Sequence, residues 1–146
     1  SAYTCEFSII INCSSTEDRE FAYSLGQYFI EFNSAIANGG QLHYTLIESG
    51  LPESMRSRNP SDDNNVLRLA CNTISADKRS LPVISSESGG LLIARMKLKT
   101  SAESFSGDEL QLKWITGESQ FGTKLFAFSD GKNVDITADR VVQLNR

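Results

Sequence analysis

FAYSLGQYFIEFNSAI, residues 21–36, decides how this chain is read. Within it Phe21, Ala22, Leu25, Tyr28, Phe29, Phe32 and Ile36 recur at steps of one, three and four, the spacing that gathers apolar side chains on one helical face. Ahead of it, Ser14-Ser15-Thr16-Glu17 has the form of a capping box, in which the Ser14 hydroxyl and the Glu17 carboxylate satisfy each other's backbone amides. Behind it, Asn38-Gly39-Gly40 supplies a left-handed stop. The spacing therefore predicts one long helix with an aromatic stripe that needs a second layer to cover it.

On either side the period changes to two. Tyr3, Cys5, Phe7, Ile9, Ile11 and Cys13 alternate with polar residues, broken only by Ile10, and Leu42, Tyr44 and Leu46 alternate with His43, Thr45 and Ile47. Strand, helix and strand make a β-α-β opening. Ser49 to Asn65 carries Gly50, Pro52, Pro60 and many small polar residues, and reads as a long surface loop. Ser61, Asp62 and Asp63 cap a second helix to about Thr73 through Val66, Leu67, Ala70 and Ile74; Leu67, Leu69 and Cys71 would alternate equally well in a strand, and the helix is preferred. Leu92 to Leu98, Leu110 to Ile115 and Phe121 to Phe128 form successive strands, and Asp130-Gly131 marks a hairpin into Val134. Thr137 caps a short final helix over Val141, Val142 and Leu144, with a continuing strand as the alternative. The predicted fold class is α+β, a two-layer sandwich in which one long helix packs on one face of a mostly antiparallel sheet that ends in a β-meander. One domain, residues 1–146, holds it all.

Composition sets the outer bounds. At 146 residues with 40% hydrophobic and 22% charged content, the chain can bury a core without disulfide or metal staples. Its longest apolar runs are far short of the ~20 residues that span a bilayer, so no membrane segment is expected. No signal-like pattern opens the chain, and the missing initiator Met implies that something upstream of Ser1 was removed. Three cysteines, Cys5, Cys13 and Cys71, form no CxxC pair and no even set, which points to a reducing, cytoplasmic compartment. A net charge of -4 argues against broad nucleic-acid binding, and the charge is unevenly spread: residues 1–55 hold seven acids against Arg19 alone.

Candidate chemistry is sparse. His43 is the single histidine, so the only imidazole-based catalytic option is a Cys-His pair with Cys71 in a small hydrolase or transferase. Ser75 with Lys78 and Ser129 with Lys132 match a loose SxxK spacing in turn contexts. Asp62, Asp63, Asp135 and Asp139 lack the accompanying pattern of a metal loop, and no phosphate-cradling glycine motif occurs, so neither metal nor cofactor is expected.

Two charged surfaces remain. Glu17, Asp18, Glu20 and Glu31 would line the exposed side of the long helix and, with Glu53, Arg56 and Arg58 in the loop, could recognise another protein. Arg95, Lys97 and Lys99 share the polar side of one strand and Lys113 that of the next, an alternative polyanion-binding face without the interleaved aromatics that nucleic-acid platforms use. The sequence thus points to a small acidic protein-binding domain, an intracellular inhibitor or immunity-type protein rather than an enzyme. Its partner would be another protein, a basic enzyme among the options, and the chain itself a monomer or homodimer.

Overall fold

Where the helix was expected, the chain forms a strand. The computed structural model describes residues 2–12, 21–57, 60–63, 65–72, 81–84, 90–116, 122–129, 131–137 and 141–145. Among these the only helical pieces are two 3-10 turns, at Ser34–Ala37 and Glu53–Met55. Ten strands make up most of the rest: β1 (Thr4–Asn12), β2 (Ala22–Glu31), β3 (Leu42–Glu48), β4 (Ser61–Asp63), β5 (Val66–Asn72), β6 (Leu91–Thr100), β7 (Lys113–Trp114), β8 (Lys124–Ser129), β9 (Lys132–Asp135) and β10 (Val141–Asn145). The capping box at residues 14–17 lies outside the described residues.

The misreading of residues 21–36 has a physical cause. β2 carries a register shift between Tyr23 and Leu25 where it pairs with β8. A bulge adds one residue to a period of two, so neighbours on one face stand three apart across it and four apart over two pleats. Tyr23, Gly26, Tyr28 and Ile30 thereby face the core, while Leu25, Gln27 and Phe29 are half-buried on the other face. Steps of three and four arise in a strand. The segment then breaks at Asn33, whose side chain accepts from the Ala35 amide at 3.1 Å, and turns out through Asn38 at φ 54.

The α+β class is likewise overturned. The strands form two antiparallel sheets in the orders β10-β1-β6-β3 and β4-β5-β2-β8-β9, with β7 on the end of β2. The layer covering each sheet is the other sheet. Phe7, Ile9, Ile11, Tyr44, Ile93, Met96 and Leu98 from the first meet Tyr28, Ile30, Leu67, Leu69, Leu125 and Ala127 from the second in one core. At about 1.5–3 kcal/mol for each large side chain removed from water, that core needs no covalent staple.

Other expectations fall with the helix. Residues 66–72 are strand, with Leu67, Leu69 and Cys71 inward opposite Ile30, Tyr28 and Gly26, and Ser61–Asp63 is its partner strand rather than a cap. The final segment is also strand, pairing Val141–Asn145 with β1. The meander is replaced by strands that cross between sheets, leaving β4–β5 and β8–β9 as the hairpins; Gly131 at φ 75 turns the second, as the Asp-Gly signal predicts. Residues 49–57 do more than loop over the surface. Leu51 and Met55 are buried, and the Ser49 hydroxyl donates to the Ile93 carbonyl at 2.6 Å. This segment plugs the sandwich, bonded to β6 through Ser49 and Gly50 and reaching Cys71 of β5 through the Ser57 amide.

Under the plug lies a polar knot. The Tyr23 hydroxyl donates to the Cys71 carbonyl at 2.9 Å, which leaves Tyr28 to donate to Tyr23 across 3.1 Å. Gly26 leaves the room for this pair, because a Cβ there would stand 2.6 Å from the Tyr23 hydroxyl and closer still to that of Tyr28. Burial pushes the Cys71 thiol up to about 12, partly offset by the Ser57 amide that donates to it, and burial also raises Tyr23, Tyr28 and Tyr44.

Two outcomes follow from this knot. Gly26→Ala overpacks it and lowers stability by about 1–3 kcal/mol, read from the denaturant midpoint; an unchanged midpoint would mean that the hydroxyls separate freely. The thiol is held neutral, so its contribution is full below its ordinary value of 9.0 and is lost as pH rises toward about 12. Unfolding free energy is expected to fall across that window by up to about 1.4 kcal/mol per pH unit per group. Cys71→Ala should fall less steeply than the parent, and parallel declines would remove Cys71 from the account.

Candidate partner-binding edge

Sheet edges differ in how they are closed. β4 is three residues long with Asp62 and Asp63 exposed, and β9 is four exposed residues bounded by Lys132 and Asp135. Short, charged edges of this kind resist pairing with another chain. β3 is seven residues, LHYTLIE, without lysine or proline, and is the longest of the four edge strands, the opposite edge β10 having five. Its one irregularity is a register shift between Leu46 and Glu48 at the far end.

The backbone of β3 is half used. Gln41 accepts from the Ser101 amide at 2.9 Å, so Gln41 faces β6, and antiparallel alternation gives His43 and Thr45 the same direction. Leu42, Tyr44 and Leu46 therefore turn their N–H and C=O groups away from the sheet. Among the described residues no backbone group meets them, and no strand pairs with that side. Tyr44 is anchored inward, stacked on Phe7 at 6.1 Å between ring centroids. Thr45 and Ile47 stay exposed, Ile47 to 40%.

Beside this edge the plug leaves a groove of about 830 Å³ lined by Leu46, Glu53, Ser54, Arg56 and Ser57. Arg56 is fixed in it, its Nε donating to the Leu51 carbonyl at 2.9 Å. β4 runs close to β3 across the same flank. A free edge and a groove thus share one side of the sandwich.

The residues singled out in the sequence scatter by comparison. Glu53 and Arg56 are brought together in the groove, whereas Glu17, Asp18, Glu20 and Arg58 lie outside the described residues. Glu31 is exposed at the end of β2 opposite Lys113, so it belongs to a strand of the second sheet and not to a helix face. Arg95, Lys97 and Lys99 do share the solvent side of β6, but Lys113 stands in the other sheet. Arg95 bridges Glu48 at 2.9 Å, Lys97 lies opposite Glu6, and the Lys99 ammonium sits 5.6 Å from the Tyr3 ring centre. Each cation of that stripe already has a neighbour.

The Cys-His pairing is not assembled. His43 is exposed on β3, while Cys71 is buried on β5 with its thiol held protonated. Ser75 and Lys78 fall outside the described residues, and Ser129 and Lys132 are the opposed ends of the β8–β9 hairpin. Asp135 accepts from the Thr137 amide and hydroxyl, which holds its carboxyl below the usual range, and Asp139 is not among the described residues. No group of three metal-binding side chains occurs among the described residues.

The edge itself escaped the sequence reading. A signal for it was present in the strand LHYTLIE, rich in β-forming residues and free of guarding charge before Glu48, but which strands are edges follows only from topology. No helix among the described residues is long and apolar enough to cross a membrane. Comparison with protein-family models, curated proteins and solved structures finds no match to the chain.

Proposed function

We propose that this is a protein-recognition domain that takes an extended segment of its partner as an added strand on β3. The observation that carries this reading is the outward-turned backbone of Leu42, Tyr44 and Leu46, three residues of unguarded edge beside an open groove. Strand addition draws affinity from main-chain hydrogen bonds and selectivity from alternate side-chain positions. Three outward residues offer about six such bonds, each contributing about 0.5–1.5 kcal/mol net. The groove supplies the side-chain part, with Glu53 and the fixed Arg56 as its charged members.

The partner is thus another protein and the action is binding without chemistry on it. An inhibitor acts in this way when the captured segment belongs to an enzyme. Free Cys5 and Cys71 accord with a reducing, cytoplasmic setting.

Hydrogen exchange tests the edge directly. A neutral peptide of alternating threonine and valine should slow amide exchange at Leu42, Tyr44 and Leu46, and Thr45→Lys, which guards the edge on its solvent side, should weaken the peptide about tenfold with the fold intact. Protection confined to other strands, or binding indifferent to Thr45→Lys, would overturn strand addition at β3.

A further inference from the structure

The flank on which β3 opens is lined by acids. In the β4–β5 register Asp62 stands opposite Leu67, a core residue, so Asp62 lies on the inward side of its sheet and faces the gap between the two edges. Asp63, opposite Val66, lies on the outer side of β4, and Glu53 lines the groove. Against Glu53 and Asp62 the described residues of the groove set one cation, Arg56, which is partly engaged by the Leu51 carbonyl. No ion pair among the described residues joins Glu53, Asp62 or Asp63 to a base; the bridge that is formed, Glu48 with Arg95, neutralises the carboxylate at the end of β3 itself.

An added strand presents alternate side chains to the two faces of the sheet. Those on the inward side would enter the groove and the gap, toward Glu53 and Asp62. Those on the outer side would lie beside His43, Thr45 and Ile47, where β-branched or apolar residues pack. Given β3 as the open edge, which is the reading above, we infer that its occupant is a basic extended segment of a partner protein, with lysine or arginine at alternate, inward positions and β-branched or apolar residues between them. Complementary charge of this kind chooses among partners and speeds encounter more than it adds raw affinity. The site is therefore selective for sequence pattern as well as for strand form.

Four peptides on one alternating threonine and valine host separate the two claims, with binding followed by fluorescence anisotropy on the intact chain. One carries lysine at two alternate positions, one glutamine, one glutamate, and the fourth is the lysine peptide N-methylated on alternate amides. The lysine peptide is expected to bind about tenfold more tightly than the glutamate peptide at low salt, and a Debye length of about 3 Å at 1 M salt should erase most of the difference. Asp62→Asn with Glu53→Gln, both at exposed positions, should bring the lysine and glutamine peptides together, and N-methylation should abolish binding. If the glutamine peptide binds as tightly as the lysine peptide, the basic preference is wrong and strand addition stands. If the N-methylated peptide binds like its parent, the attraction is charge alone and the edge is not the site. If no peptide binds, both claims fall.

Discussion

The bulge at Ser24 in β2 fixes the way the two sheets meet. β2 is the central strand of the larger sheet, pairing β5 on one side and β8 and β7 on the other. The extra residue brings Tyr23 into phase with Gly26 and Tyr28, so two tyrosine hydroxyls reach each other over a residue with no side chain. Without the shift one of those hydroxyls would turn to the opposite face, and the buried bonds that join Tyr28, Tyr23 and the Cys71 carbonyl would be lost. Tyr44 reaches the same region from the opposite sheet, its hydroxyl buried without a partner among the described residues. Within the larger sheet the interior is thus joined by polar contacts as well as by packing, and the β2–β5 register is specified rather than merely hydrophobic.

This bulge is also what made the sequence deceptive. Strands whose alternation runs on for most of their length were legible: β1, β3 and β6 show it plainly despite the register shifts near Ile10 and Ile47, and the Asp-Gly turn shows its hairpin. β2 was not, because a bulged strand with apolar residues on both faces produces the same steps of three and four as an amphipathic helix. β5 failed for a related reason. Its run Val66 to Cys71 satisfies both periods, and its neighbours Asp62 and Asp63 look like a helix cap when they are in fact the charges of an edge strand. Once two strands are taken for helices the second sheet disappears, and a meander is the only arrangement left for the remaining strands.

Of the site, the sequence could show residue types and not their company. Glu53 and Arg56 were readable as charged loop residues, but their place beside β3 depends on Leu51 and Met55 being buried as a plug, which a loop rich in glycine and proline conceals. The lysine stripe on β6 was readable too. What removed its appeal was pairing from neighbouring strands, with Glu48 from β3 and Glu6 from β1, and strand adjacency is a long-range property that no local pattern encodes.

Edge strands put opposing demands on one segment. β3 must be apolar and well packed on its inner side, since Tyr44 and its stacking on Phe7 close the core there. A lysine or proline among its inward residues would protect the edge but would cost that packing, so protection has to come from outside the strand. β4 and the plug leave the backbone of Leu42, Tyr44 and Leu46 open and set the carboxylates of Asp62 and Glu53 beside it. Like-charge repulsion then discourages two copies from pairing here, because joining the edges would bring Glu53 and Asp62 of one copy toward the same acids of the other. The same carboxylates attract a strand of opposite charge. On the proposed reading the guard against self-pairing lies beside β3 and not within it, which fits a strand whose inner side must stay apolar to close the core.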